Sequence, residues 1–255
     1  MGGWTRGWNR TGPQTAEEII AEARKAFFVM FGFMVVVWAL QIVNWASGYD
    51  LDREFGLIPN DPSRLPAILT APFLHFGWDH IEANSGPLFV FGFLAAYRGV
   101  VRFLWLTLLV AVSSGLAVWL FQGSNTLGVG ASGLVFGYFG YVVLRGLFDR
   151  RLIDTLIGIV MAASFAYLVT VAVPGTPGVS WLAHLGGLVG GMAGAYLLRD
   201  RSARAATPAG APGPGAVGPG DGPGRPALGK GRSGTGDSGS GREDLHKELK
   251  DLGLL

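Results

Sequence analysis

No cysteine occurs in the 255 residues. That excludes disulfides, a thiolate nucleophile and a thiolate metal site. Charge is also scarce. Asp, Glu, Lys and Arg make up 15% of the chain, and the formal net charge is +2. So small an excess does not predict nucleic-acid binding. There are four histidines. His246 stands in a polar tail, and only His75, His80 and His184 fall in apolar sequence. Nothing in the chain signals a metal or a cofactor.

What is abundant is hydrophobic sequence, at 49% of residues and a mean hydropathy of +0.38. The average hides a division into three parts. Residues 1–26 form a cytoplasmic N-terminal segment, polar and glycine-bearing at its start. Residues 27–199 are apolar with rare charges and read as a polytopic membrane domain. Residues 200–255 are Gly, Pro, Ala and charge, a composition that cannot build a core and reads as a disordered cytoplasmic tail. Leu245, Leu249 and Leu252 near its end share a helical face, but a segment this short is marginal as a helix in water.

The fold class predicted is all-α, with six transmembrane helices in one bundle. Thr15 followed by Glu18 is a capping-box pattern that starts a helix. The helix runs through Arg24 and Lys25 into a first span at 27–46. That stretch is too long for a signal-peptide core and is followed by no small-residue cleavage site, so it reads as a retained span. Residues 47–79 form an external segment with apolar runs too short to span. Five further spans read as 80–97, 101–121, 131–148, 152–173 and 180–198. The arginines set the orientation. Arg24, then Arg98 and Arg102, then Arg145, Arg150 and Arg151, then Arg199 and Arg201 fall in alternate connections, while 122–130 and 174–179 contain no Lys or Arg. The positive-inside rule then puts both termini in the cytoplasm, and the expected location is the plasma membrane.

Polar residues inside such a domain are expensive and usually functional. Span two carries His80 and Asn84, four residues apart and so on one helical face. Span four opens on Gly130-Ala131-Ser132-Gly133. Here Gly128 and Gly130 are expected to supply backbone conformations that a Cβ would forbid. Span six carries Ala183-His184. Asn84 lies fourteen residues before Arg98, Ser132 thirteen before Arg145 and His184 fifteen before Arg199. At 1.5 Å per residue all three stand ~20–22 Å above the cytoplasmic face. In a core ~30 Å thick that is ~8–10 Å below the outer surface. Three helices thus bring polar groups to one level, with His80 a turn higher.

A serine hydroxyl needs a base to become a nucleophile, and His184 is the only histidine on its level. His80, Asn84 and the Ser132 amide can donate hydrogen bonds to an oxyanion. No carboxylate lies near that level on spans four or six, so the site predicted is a Ser–His dyad. Phe136, one turn below Ser132, is placed to lie against the His184 ring. Gly133 with Gly137, and Gly187 with Gly191, allow spans four and six to approach closely.

With these residues the chain resembles the rhomboid family of intramembrane serine proteases. The matching residues are Gly130, Ser132, Gly133, His184, Gly187, Gly191, His80 and Asn84, with His75 matching another histidine common in that family. The resemblance covers roughly residues 20–199. It implies hydrolysis of peptide bonds within or just outside the transmembrane helix of a single-span membrane protein. It also implies Ser132 as nucleophile, His184 as general base, and His80, Asn84 and the Ser132 amide as oxyanion hole. The segment 47–79 lacks the Trp-Arg pair of many members, and the position often Tyr is Phe136 here. Glu82 has no counterpart, and a buried structural hydrogen bond is expected for it. His75 is expected to orient its loop. The rival readings are a pseudoprotease that binds transmembrane segments without cutting them and a small-solute transporter. Loss of Ser132 or His184 would have marked the first. Ionisable residues lining a path across the bilayer would have marked the second.

Overall fold

In the computed structural model, residues 15–171, 173–175 and 178–199 are described. The tail from residue 200 on, including its leucine-bearing end, lies outside them. Thr15 caps the first helix through its hydroxyl, which accepts the Glu18 N–H at 3.3 Å. That helix, α1 (Ala16–Ala46), is followed by α2 (Asp50–Phe55), α3 (Ala67–Thr70), α4 (Trp78–Ala96), α5 (Val100–Phe121), α6 (Ser132–Asp149), α7 (Leu152–Ser164), α8 (Leu168–Val171) and α9 (Trp181–Leu197). Two short 3₁₀ turns flank α3. Among the described residues regular structure is helical throughout, apart from one antiparallel bridge between Leu57 and Gly128.

Burial places α6 at the centre. It buries twelve of its eighteen residues, whereas α1 buries five of thirty-one. Around Leu134, Phe136, Tyr138 and Tyr141 of α6 pack Met30 of α1, Phe91 of α4, Phe103 and Val110 of α5 and Ala195 of α9. The outer faces are apolar as well: Phe28, Phe31, Val35, Trp105, Ile153 and Val189 are all exposed. Two helices, α1 and α5, are long and apolar enough to cross a bilayer by themselves. α4, α6 and α9 occupy the predicted ranges but carry the polar and glycine residues that build the interior.

Residues 47–79 do not lie loose. Leu57, Ala67, Ile68 and Ala71 pack on Val118 of α5 in a second small core. The Leu57 and Gly128 backbones exchange hydrogen bonds of 2.9 and 2.8 Å, which ties this segment to the α5–α6 connection.

Three expectations are corrected. The fifth predicted span, α7, stops at Ser164 rather than running to 173. Phe165 turns in and packs edge-on against Phe91 at 4.7 Å, and a tight turn follows before α8. Gly128 has an ordinary φ and room for a Cβ; its part is the backbone bridge to Leu57. Glu82 is exposed rather than buried, because two residues of helix turn it away from the face that carries His80.

The arginines read as topology markers also have partners that the sequence left unassigned. Arg145 bonds Asp149 at 3.2 Å and Asp154 at 2.9 Å, and Arg98 pairs with Asp154 as well. The cluster joins the ends of α4, α6 and α7 farthest from Ser132.

Candidate active site

A chain reversal ahead of α6 builds the site. Gly130 has φ +127°, a conformation that side chains rarely adopt, and its N–H donates to the Ala71 carbonyl at 3.0 Å. A Cβ there would stand 2.7 Å from His80 Cε1 and 2.8 Å from His80 Nε2, with Asn84 Nδ2 at 3.9 Å. Only glycine lets this backbone pass beneath the two α4 side chains. Ala131 follows as the N-cap, and Ser132 is the first residue of α6. Ser132 is half-buried, and the unpaired amides of a helix start surround it.

α9 delivers His184 from its first turn. The helix is capped by Ser180, whose hydroxyl accepts the Ala183 N–H at 3.2 Å. Side-chain-free contacts then seat it. A Cβ at Gly187 would overlap the Gly133 carbonyl, and one at Gly191 the Gly137 carbonyl, so α6 and α9 meet backbone to backbone. Gly186 and Gly190 meet Ser113 and its neighbours on α5 in the same way. His184 is buried, and its ring stacks on Phe136 with centroids 4.1 Å apart and planes 16° apart.

Ser132, His184, His80 and Asn84 all line one cavity of about 730 Å³, which also takes in Ser114 and Pro87. Asn84 is buried, and its Nδ2 has no hydrogen-bond partner. An unpartnered buried amide is costly, by about 1–3 kcal/mol, unless something else accepts its protons. His75 lies behind the serine turn rather than in the cavity wall. It is fully buried, its Nε2 accepts the Ala131 N–H at 3.3 Å, and its ring meets His80 edge-on at 5.0 Å. Burial first, and the neighbouring His80 second, push the His75 imidazole down to about 3. It therefore stays neutral, as an acceptor of an amide proton must.

The structure thus brings Ser132, His184, His80, Asn84, Gly130 and Phe136 to one cavity, with Gly133, Gly187 and Gly191 in the helix contact below it. Two contributors were not singled out from sequence. Ser114 donates to the Ala183 carbonyl at 2.9 Å and fixes the start of α9 against α5; the polar pair Ser113-Ser114 in the middle of an apolar span was the available signal. Pro87 stands inside α4 and removes the N–H that would have bonded the Ala83 carbonyl; both residues line the cavity.

Residues 62–201 match the family model described as Rhomboid domain. An uncharacterized protein of Mycobacterium tuberculosis is 38% identical over 189 residues, 70% of this chain and 78% of its own length. Rhomboid-like protein 11, chloroplastic, of Arabidopsis thaliana is 38% identical over 92 residues, 35% of this chain and 33% of its own length. YdcA of Bacillus subtilis, provisionally named a rhomboid protease, is 27% identical over 179 residues, 70% of this chain and 84% of its own length.

Proposed function

The chain belongs to the rhomboid family and is an integral membrane protein, and on that premise we propose that it is an intramembrane serine endopeptidase acting through Ser132 and His184. The observation that carries this reading is the arrangement over Gly130. An unpartnered buried Asn84 Nδ2 and a His80 Nε2 converge on the turn that presents Ser132. A buried amide donor with nothing of the protein to bond, beside a second ring nitrogen, suits a charge that forms only during reaction.

In this mechanism Ser132 Oγ attacks the carbonyl carbon of the scissile bond while His184 takes the hydroxyl proton. The carbonyl oxygen becomes an oxyanion held by His80, Asn84 and the Ser132 N–H. The C–N bond then breaks, and His184 returns its proton to the leaving amine. Water attacks the remaining acyl ester, His184 accepts the water proton, and Ser132 leaves with it. Phe136 orients the imidazole in place of the usual carboxylate, and its ring face favours the transient cation. The domain spans the membrane six times, with both termini cytoplasmic and the cavity opening to the outer side. The substrates are single-span membrane proteins cut near the outer end of their helix.

Labelling of the detergent-solubilised protein by a fluorophosphonate tests this. Wild type should label covalently, and Ser132→Ala and His184→Ala should lose essentially all labelling and all cleavage of a single-span substrate. A folded wild-type protein that neither labels nor cleaves would instead be a binder of transmembrane segments.

A further inference from the structure

One amide of α1 is linked by hydrogen bonds to the serine turn. Asn44 sits in the last turn of an apolar helix, is fully buried and faces the outer segment. Its Oδ1 accepts the Asp52 N–H at 3.2 Å, and its Nδ2 donates to the His75 carbonyl at 3.3 Å. His75 in turn holds the Ala131 N–H on its Nε2, and Ala131 is the residue before Ser132. Three hydrogen bonds therefore run from α2 through Asn44 and His75 to the backbone that carries the nucleophile. Asn44 and Ser132 are 88 residues apart, and α1 also packs Phe33 on Phe73 of the same segment, with ring centroids 5.2 Å apart. Both polar atoms of the Asn44 amide are bonded, so a shift there strands a donor and an acceptor.

We propose that Asn44 is a positioning residue for Ser132, acting through His75 to hold the Ala131–Ser132 backbone where the hydroxyl and the oxyanion donors converge. This rests on the reading of Ser132 as nucleophile. Substituting Asn44 by Leu keeps the branched shape in a somewhat larger side chain and deletes both bonds. The His75 loop is then free to shift, and with it the amide it holds. The loss falls on the chemical step, because substrate docks in the cavity on the far side of the turn. A displacement of about 1 Å at a reacting group can reduce turnover about 10²-fold.

The test compares wild type, Asn44→Leu, His75→Leu, His75→Gln and the Asn44→Leu/His75→Leu double variant as full-length chains in detergent. Fluorophosphonate labelling rate, kcat, KM and melting temperature are measured on each. Amide exchange of the peptide containing Ala131 and Ser132 is followed by mass spectrometry, with and without Asn44→Leu, in a Ser132→Ala background. The expected result is a tenfold or greater fall in labelling rate and kcat for Asn44→Leu, with KM unchanged and faster exchange at that peptide. The double variant should be no worse than His75→Leu alone, since both act on one chain of bonds. His75→Gln, whose amide oxygen can still accept the Ala131 N–H, should lose less than His75→Leu. Wild-type labelling rate or unaltered exchange in Asn44→Leu overturns the proposal, as do fully additive losses in the double variant. Should Asn44→Leu not fold, Asn44→Ser is measured in its place with the same outcomes. If wild type itself fails to label, the nucleophile reading is what fails, and the exchange comparison still decides whether Asn44 positions the turn.

Discussion

Replacing Asn84 by Ala removes one amide donor and leaves His80 and the Ser132 N–H in place. A single oxyanion donor is worth about 10²–10³ in kcat, so Asn84→Ala should fall short of the complete loss expected for Ser132→Ala, with KM unchanged. A pure KM effect would move Asn84 from charge stabilisation to substrate binding. Two titrating residues outside the spans act on stability with opposite sign. Asp52 is buried with neither carboxylate oxygen bonded. Burial pushes its pKa up, against the smaller pull of Asn44 and Arg53. Its folded state therefore favours the protonated form, and stability falls as pH rises from the ordinary carboxylate range through the raised value. His75, held down to about 3 by burial and by His80, favours the neutral form. Its contribution is intact above about 6.5, the ordinary value, and is lost as pH falls from there toward 3. Asp52→Asn should raise the melting temperature by a few degrees at neutral pH and gain nothing at pH 4, leaving only the acid-side loss. A uniform shift at both pH values would remove ionisation from the explanation.

The helix pair α6–α9 carries the proposed nucleophile on one member and the proposed base on the other. Gly187→Ala places a methyl against the Gly133 carbonyl and must push the two apart. Loss of turnover of about 10² is expected from displacement near 1 Å. Gly32→Ala on α1, where nothing lies within 4 Å, serves as the control with no loss. At the opposite end, Asp154→Asn leaves Arg145 and Arg98 short of a buried partner. Breaking such a pair typically destabilises by about 3–5 kcal/mol. The labelling rate of the molecules that remain folded should match wild type, since the cluster lies far from Ser132. The pairing of Phe136 with His184 was legible in sequence because a fixed helical spacing from Ser132 and a shared depth determine it. So was Gly130, whose place before a helix-starting serine has few other uses. The Asn44–His75–Ala131 chain was not, because it joins segments 31 and 56 residues apart through a loop with no period. The acid partners of the arginines were missed for the same reason. Glu82 was misjudged because its helix face was known but not what covers that face. The break after Ser164 depends on Phe165 finding Phe91, a tertiary contact that no local propensity announces.

At the scale of the whole chain, the proposed topology gives the site one side of the membrane and, by the positive-inside rule, the tail the other. Truncation after Arg204 should therefore leave proteolysis of a single-span substrate at the wild-type rate, as measured with purified protein. Gly130 lines the cavity beside Ser132, and the proposed mechanism expects a small residue at the cut. Replacing an Ala before the scissile bond by Phe should block cleavage, and cutting near the cytoplasmic end of the substrate would overturn the assigned orientation. The backbone contact between α6 and α9 has one more consequence, for temperature. Between helices in lipid there is no water to expel, so their adhesion comes from close dispersion contact rather than from hydration entropy. Hydrophobic adhesion weakens on cooling because it carries a large heat capacity; a dry glycine seam carries almost none. Chilling therefore leaves the spacing of Ser132 and His184 unchanged, and the rate should follow a straight Arrhenius line down to the freezing of the surrounding lipid.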